Sequence, residues 1–345
     1  MANSRAATAV QSARAFIKES TNKKFELRPE MTNILSGFMQ DREFTIPNLA
    51  AIKKAEKQVT TAMYKTRKAF TIGSSKSCSP SGETSGSGSV NLTWAQKNFS
   101  IQIQTKKYAN NEIGLIQAVA DDLMEAEKSL FLGASGIDAA LITYLEANKT
   151  QVNTLSAGGG HNTWDSVGNQ VKVLLADKDR FPNWLVAEMQ MNNYEGNMID
   201  FANTLWKSES SYYSHQGGQN DKNLAFQFDG LDTKFSNLIV PSGYNQHVHY
   251  VVPTGAVAFL DWNDPLNVKG QKTSVGEYST AQSLLVPGLT YDVYTKESCA
   301  DTTDDGGSKQ DSVIDMEFTL NYSVTKAPSS VANESGIFKY VNLTT

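Results

Sequence analysis

The chain reads as an α+β protein, and three features of its sequence predict this. Apolar residues recur every seven positions at Ile116, Leu123, Leu130, Ile137 and Tyr144, a stripe of helical length. Two segments near the C-terminus, 289–298 (LTYDVYTKES) and 312–324 (SVIDMEFTLNYSV), alternate apolar and polar side chains as long antiparallel strands do. Around them, short helix and strand signals are interleaved without the regular alternation of a βαβ array.

Taken in order, residues 1–45 read as an N-terminal arm. Phe16, Ile17, Phe25, Leu27, Ile34, Leu35 and Phe38 are apolar but form no single periodic stripe. Pro47 suits the first turn of a helix, where its missing N–H costs nothing. From there Leu49, Ile52, Val59, Met63 and Phe70 predict a helix over residues 46–69. Its other face carries Lys53, Lys54, Lys57, Lys65, Arg67 and Lys68, with Glu56 the only acid. Such a face is either solvated or docked on an acidic neighbour.

Residues 73–89 hold 12 Gly or Ser in 17 positions, a composition too poor in apolar surface to order itself in isolation. Alternation resumes at Val90, Leu92 and Trp94, then at Phe99, Ile101 and Ile103. A long hairpin with a Gly/Ser tip is the expectation for 70–108. The seven-residue stripe predicts one long helix over 112–152, kinked where residues 133–136 place two glycines. Beyond a glycine loop at 158–160, the expected elements are a strand at 171–176, a helix at 180–190 and short strands at 223–228 and 237–242. A strand–turn–strand follows at 247–262, then the two long C-terminal strands with an acidic turn containing Asp301, Asp304 and Asp305.

Charge divides the chain unequally. Residues 1–110 carry 17 Lys or Arg against 7 Asp or Glu, the remainder 14 against 29, for a net charge of −5. An acidic total argues against a dedicated nucleic-acid binder, because phosphate affinity requires dense Lys and Arg. No run approaches the roughly 20 apolar residues of a membrane span. Cys78 and Cys299 are far apart and define neither a disulfide framework nor a zinc spacing. No phosphate loop, dinucleotide fingerprint or nucleophile elbow occurs. His247 and His249 alternate on one strand face, but no carboxylate at ligand spacing accompanies them, so surface or interface histidines are expected over a metal pair. The acidic turn lacks the spacing and closing Glu of a calcium loop. The expectation is therefore a non-enzyme, with no catalytic, metal or cofactor-binding residues.

This order of parts resembles the major capsid proteins of tailed double-stranded DNA phages, the Hong Kong 97 type of fold. WAQKNFSIQIQTKKYANNEI, YLEANKTQVN and HYVVPTGAVAFLDWNDP are similar in style to capsid proteins of Bacteroidetes-type phages. The resemblance implies an N-terminal arm (1–45), a basic helix of the peripheral region (46–69) and an extended E-loop hairpin (70–108). A peripheral domain with a long spine helix (109–152), an axial domain (153–285) and returning peripheral strands (286–345) would follow.

It implies a virion shell protein, assembled in the host cytoplasm from hexamers and pentamers of itself, with portal, scaffold and cement or decoration proteins as partners. The shell would enclose double-stranded DNA without sequence-specific binding and involve no membrane. Subunit contacts are then expected at the hairpin, through Gly73, Ser74, Lys76, Gly82, Gly86, Gly88, Trp94 and Lys97, and at the basic helix residues named above. The rival readings are an encapsulin-like compartment shell and a tail, baseplate or surface glycan-binding protein using Trp164, Trp184 and Trp206. A hydrolase dependent on His247 or His249 is a third.

Overall fold

The computed structural model describes residues 12, 33–46, 48–65, 72–74, 78, 82, 84, 86–104, 112–153, 162–174, 181–192, 194, 196–207, 230–241, 247–303, 308–329 and 332–342. Its helices are α1 (Asn33–Met39), α2 (Arg42–Thr45), α3 (Leu49–Lys53), α4 (Glu112–Leu132), α5 (Ile137–Asn148), α6 (Phe181–Met191) and α7 (Pro265–Lys269). The strands are β1 (Thr61–Lys65), β2 (Ser87–Asn91), β3 (Trp94–Gln104), β4 (Asn162–Asp165), β5 (Gln170–Val173), β6 (Met198–Asn203) and β7 (Leu231–Ser236). They continue with β8 (Val248–Pro253), β9 (Val257–Trp262), β10 (Glu277–Gln282), β11 (Thr290–Thr303), β12 (Ser308–Lys326) and β13 (Phe338–Asn342). The α+β class holds.

The strands form three sheets. One is antiparallel, in the order β10-β11-β12-β3, with β9 also paired to β12. A second has the order β4-β5-β13-β8-β6-β7 and contains two parallel pairs, β5 with β13 and β6 with β7. The third is the two-stranded β1–β2 hairpin. The long C-terminal pair is antiparallel from Asp292 opposite Thr319 to Thr303 opposite Ser308, so Asp301 belongs to the ladder, not to the acidic turn. Residues 304 and 305 of that turn lie outside the described residues.

β12 is the axis of the first sheet. Along one side it pairs with β11 and then, end to end, with β9. Asp292 seals that junction, accepting hydrogen bonds from Asn321 Nδ2 (2.9 Å), Asn263 Nδ2 (3.1 Å) and the Asp264 N–H (3.0 Å). On the other side β3 is paired in register, and Phe99 stacks on its opposite number Phe318 at 4.9 Å.

The expected 247–262 strand–turn–strand forms, but not as a hairpin. β8 pairs with β6 and β13, β9 with β12, so the turn at Gly255 (φ 80°) carries the chain from one sheet to the other. Period-two alternation then buries both faces of each strand. On β8, Tyr250 and Val252 face the main core, while Val251 joins a second cluster with Leu185 and Met189 of α6. On β9, Phe259 faces the main core, and Ala258 and Leu260 pack with Ile46, Leu49 and Ile52. β13 lies between β5 and β8, so the last described strand completes the sheet of the central region instead of the C-terminal one.

The expected long helix is two helices. The heptad stripe is buried at Leu123, Leu130 and Ile137, and it passes through a break at 133–136. Gly136 is extended (φ −76°, ψ −173°), and a Cβ there would meet the carbonyls of Phe131, Gly133 and Leu130 at 2.7–2.8 Å. By length and composition Ile116–Asn148 could cross a membrane, yet its apolar stripe packs against the protein's own strands.

Three expectations are corrected. Ile34, Leu35 and Phe38 of α1 are fully buried, so the arm cannot run to residue 45. Gly37 lets α1 approach the Phe201 ring within a distance that excludes any side chain. Residues 1–32, Ser12 apart, lie outside the described residues. Among the described residues of the expected 46–69 helix, helix is confined to α3, and residues 66–69 lie outside them. Beyond it the Trp262 and Trp94 indoles take the carbonyls of Ala55 (3.0 Å) and Val59 (2.8 Å), and the β-branched run at 59–61 enters strand β1. The strand expected at 237–242 is instead β7, six residues earlier. That expected at 223–228 lies outside the described residues.

Candidate assembly surfaces

Among the described residues, the β1–β2 hairpin is held at its root. Thr61 faces Asn91 and Lys65 faces Ser87, and neither strand pairs with any other among the described residues. Ala62 and Leu92 are buried beneath α3, and the Leu92 N–H donates to Thr60 O at 2.8 Å. Farther out, Met63 is 65% exposed and Ile72 is 94% exposed. The hairpin therefore begins at residue 61, earlier than expected, and β3 belongs to the main sheet.

The expected contact residues separate accordingly. Gly73, Ser74, Gly82 and Gly86 are exposed, and Gly88 is half-buried against the Tyr64 ring. Trp94 is committed to the root through its Val59 bond, and the Lys97 ammonium donates to the Ser135 carbonyl at the helix break. Lys76, Arg67 and Lys68 lie outside the described residues, as does the side chain of Lys65. In α3, Lys53 turns inward to Asp261 at 2.5 Å, alongside Arg42 at 3.3 Å. Lys54 and Lys57 are exposed.

Asp261 escaped the sequence reading, although a signal existed. A carboxylate inside the apolar strand Val257–Trp262 must be paired if buried, and the candidate cations were upstream. Arg42 also donates to Phe259 O at 3.0 Å, so α2 and α3 are clamped to β9. Glu127 carried no such signal. It is buried on α4 and accepts from Ser283 Oγ (2.9 Å) and from the N–H groups of Leu284 (2.9 Å) and Leu285 (3.0 Å), fixing the turn after β10.

Among the described residues, acidic groups show on α4, where Asp121, Asp122 and Glu125 stand exposed.

The histidines are core residues, contrary to expectation. Both are buried and meet the Trp206 ring edge-on at 5.4 and 5.5 Å, and His249 Nδ1 bonds the Asp200 carboxylate at 2.9 and 3.0 Å. Among the described residues no group of three or more His, Cys, Asp or Glu side chains could hold a metal. Trp206 is buried and Trp164 packs against the α6 cluster, so neither offers the flat exposed face that stacks on a sugar. The side chain of Trp184 lies outside the described residues.

No family model and no curated protein matches the chain. Among solved structures it is similar to a chain from Mycobacterium phage Adephagia, at 11% identity and a TM-score of 0.43, covering 91% of each chain. It is also similar to a chain from a capsid structure of the cyanophage P-SCSP1u (12% identity, TM-score 0.40, covering 84% of this chain and 85% of that one). A chain from the capsid of a native GTA particle gives 10% identity and a TM-score of 0.38, covering 87% and 92%.

Proposed function

We propose that this chain is the major capsid protein of a tailed double-stranded DNA phage, with a Hong Kong 97-like fold, and that copies of it close into an icosahedral head. The observation that carries the reading is the β1–β2 hairpin. A two-stranded ribbon is marginal in water, and among the described residues this one pairs with no other strand and is linked through a Gly/Ser-rich segment poor in apolar residues. Its length is explained if a neighbouring copy supplies the missing surface. The basic excess of residues 1–110 and the acidic excess of the rest give that contact its sign.

The division into arm, hairpin, peripheral and axial parts belongs to this proposal. So do the contacts through the hairpin residues and the exposed Lys54 and Lys57. The shell would enclose DNA without reading its sequence, act with portal, scaffold and decoration proteins, and form in the host cytoplasm before residing in the virion. A structural role of this kind asks for no catalytic group.

Electron microscopy of the purified chain, expressed alone and with a scaffold protein, tests the proposal. Hollow closed particles are expected. A chain that stays monomeric, or forms only small discrete oligomers under both conditions, would overturn it.

A further inference from the structure

β3 is an edge strand of the antiparallel sheet. β12 pairs with it on one side, and among the described residues no strand pairs with it on the other. The Ala327 N–H donates to Ala256 O at 2.7 Å, and this sets the phase of the ladder. By antiparallel alternation the odd residues of β12 bond β9 and β11, and the even ones bond β3. The register of β3 with β12 runs without a bulge from Trp94 opposite Ser323 to Gln104 opposite Val313. The odd residues of β3 therefore bond β12. Its even residues, from Trp94 to Gln104, turn both N–H and C=O to the open side, where no described group takes them.

Such an edge is normally guarded by lysines, a proline, a bulge or a covering segment. The opposite edge of the same sheet is covered. There the chain before β10 folds back on it, with the Tyr278 N–H on Gln271 O at 2.8 Å and Lys272 bridged to Glu277. β3 has no proline, and its one charged residue, Lys97, is spent on the Ser135 carbonyl. Ile101 and Ile103 fix one face of the strand in the main core, while Gln96, Asn98, Ser100 and Gln102 stand exposed on the other. The nearest acids on β12 are held back, Glu317 by Asn98 Nδ2 at 2.7 Å and Asp315 by Gln102 Nε2 at 2.8 Å.

These side chains suit a second copy of the same strand. Antiparallel pairing of β3 with itself about a two-fold axis at Phe99 sets Gln96 opposite Gln102 and Asn98 opposite Ser100, all at outward-bonding positions. A charged strand would meet its own charges in that arrangement and be repelled. This one brings only uncharged side chains together on its exposed face.

We propose that β3 is a dimerisation edge, and that β3 of a second copy pairs with it antiparallel, joining two sheets into one across the two-fold axis. The contact is isologous, the same strand serving both partners. It adds a contact to the shell reading and does not depend on it.

Sedimentation velocity, electron microscopy and thermal melting of wild type and of Gln96→Lys with Ser100→Lys test the pairing. A single strand pair is a small interface, so wild type should show a reversible dimer at or below about 100 μM. The lysines should weaken it at least about tenfold with monomer melting unchanged. A monomeric wild type, or a variant that dimerises equally, would overturn the proposal. If the variant melts lower, Ser100→Pro replaces it, since that removes an outward N–H and no ladder bond, and it should weaken dimerisation likewise. Register is read by disulfide formation in a Cys78→Ser, Cys299→Ser background. Asn98→Cys mixed with Ser100→Cys should form covalent dimers at least about ten times faster than Gln96→Cys mixed with Ser100→Cys, because only the first pair lies within bridging distance. Equal rates would overturn the register. Dimers without closed particles would keep the strand contact and remove the shell. Closed particles from a chain whose association ignores the lysines would do the reverse.

Discussion

Asp138, in the first turn of α5, is sealed against α1 and accepts the Leu35 N–H at 3.3 Å. Burial pushes its carboxyl from 3.8 up to about 7, against the pull of that hydrogen bond. Glu188 on α6, bonded to Asn162, is likewise raised by burial, from 4.5 to about 7. Between the ordinary carboxylate range and pH 7 the folded chain keeps protons that the unfolded chain has lost. These two groups therefore favour folding most below about pH 4, and that contribution disappears as pH rises through 7. Glu146 runs the other way. Burial opposes its charge, but hydrogen bonds from Lys149, Tyr250 and Lys339 hold it down at about 2, so its contribution is present above 4.5 and lost toward pH 2. Melting temperature should fall from pH 5 to 8. Asp138→Asn, which keeps an acceptor for Leu35 and cannot ionise, should flatten the profile and gain on the order of a few kcal/mol at pH 8. Parallel wild-type and variant profiles would refute this origin. The sequence named none of these carboxylates, because burial decides Asp138 and Glu188, and the Leu35 partner of Asp138 and the Tyr250 and Lys339 partners of Glu146 lie more than a hundred positions away.

At the scale of elements, the hairpin is the part whose role can be separated from folding. Removing residues 74–86 spares β1, β2 and the buried root, and leaves residues 66–73 to close the turn. Monomer melting should be unchanged, while particle yield should drop at least about tenfold if the tip contributes a contact worth about 1.4 kcal/mol. Normal particle yield would return the tip to the role of a plain connection. The hairpin was legible in the sequence because Gly/Ser composition and strand alternation are local signals. Its start was not. Five apolar residues from Leu49 to Phe70 happened to fit a helical face, and the competing claim on residues 55–61 came from two indoles, one of them more than 200 positions away. The heptad stripe was read correctly as a buried face, and the break at 133–136 falls at the glycines that predicted a kink.

For the whole molecule, the asymmetry of charge makes a salt-dependent prediction. Lys54 and Lys57 are exposed just beyond α3, whereas Lys53 is held by Asp261 inside its own chain. Lys54→Glu with Lys57→Glu should weaken contact between copies without lowering monomer stability. The loss should be larger at about 50 mM than at about 500 mM salt, because the Debye length shortens across that range. Equal assembly of variant and wild type at low salt would return these lysines to a solvated face. Adding Lys53→Glu should destabilise the monomer as well, since it leaves a repelled carboxylate beside the buried Asp261.

By itself the sequence determined the α+β class, the buried stripe on α4 and α5, the long antiparallel pair β11–β12 and the Gly/Ser hairpin. Each of these rests on short-range periodicity or composition, which survives in one dimension. Only the tertiary structure decided that 248–262 spans two sheets, that β13 completes the central one, and that Lys53, Trp94 and Lys97 are used within the chain. Pairing partners and burial are set by where distant segments meet, and no local pattern records that.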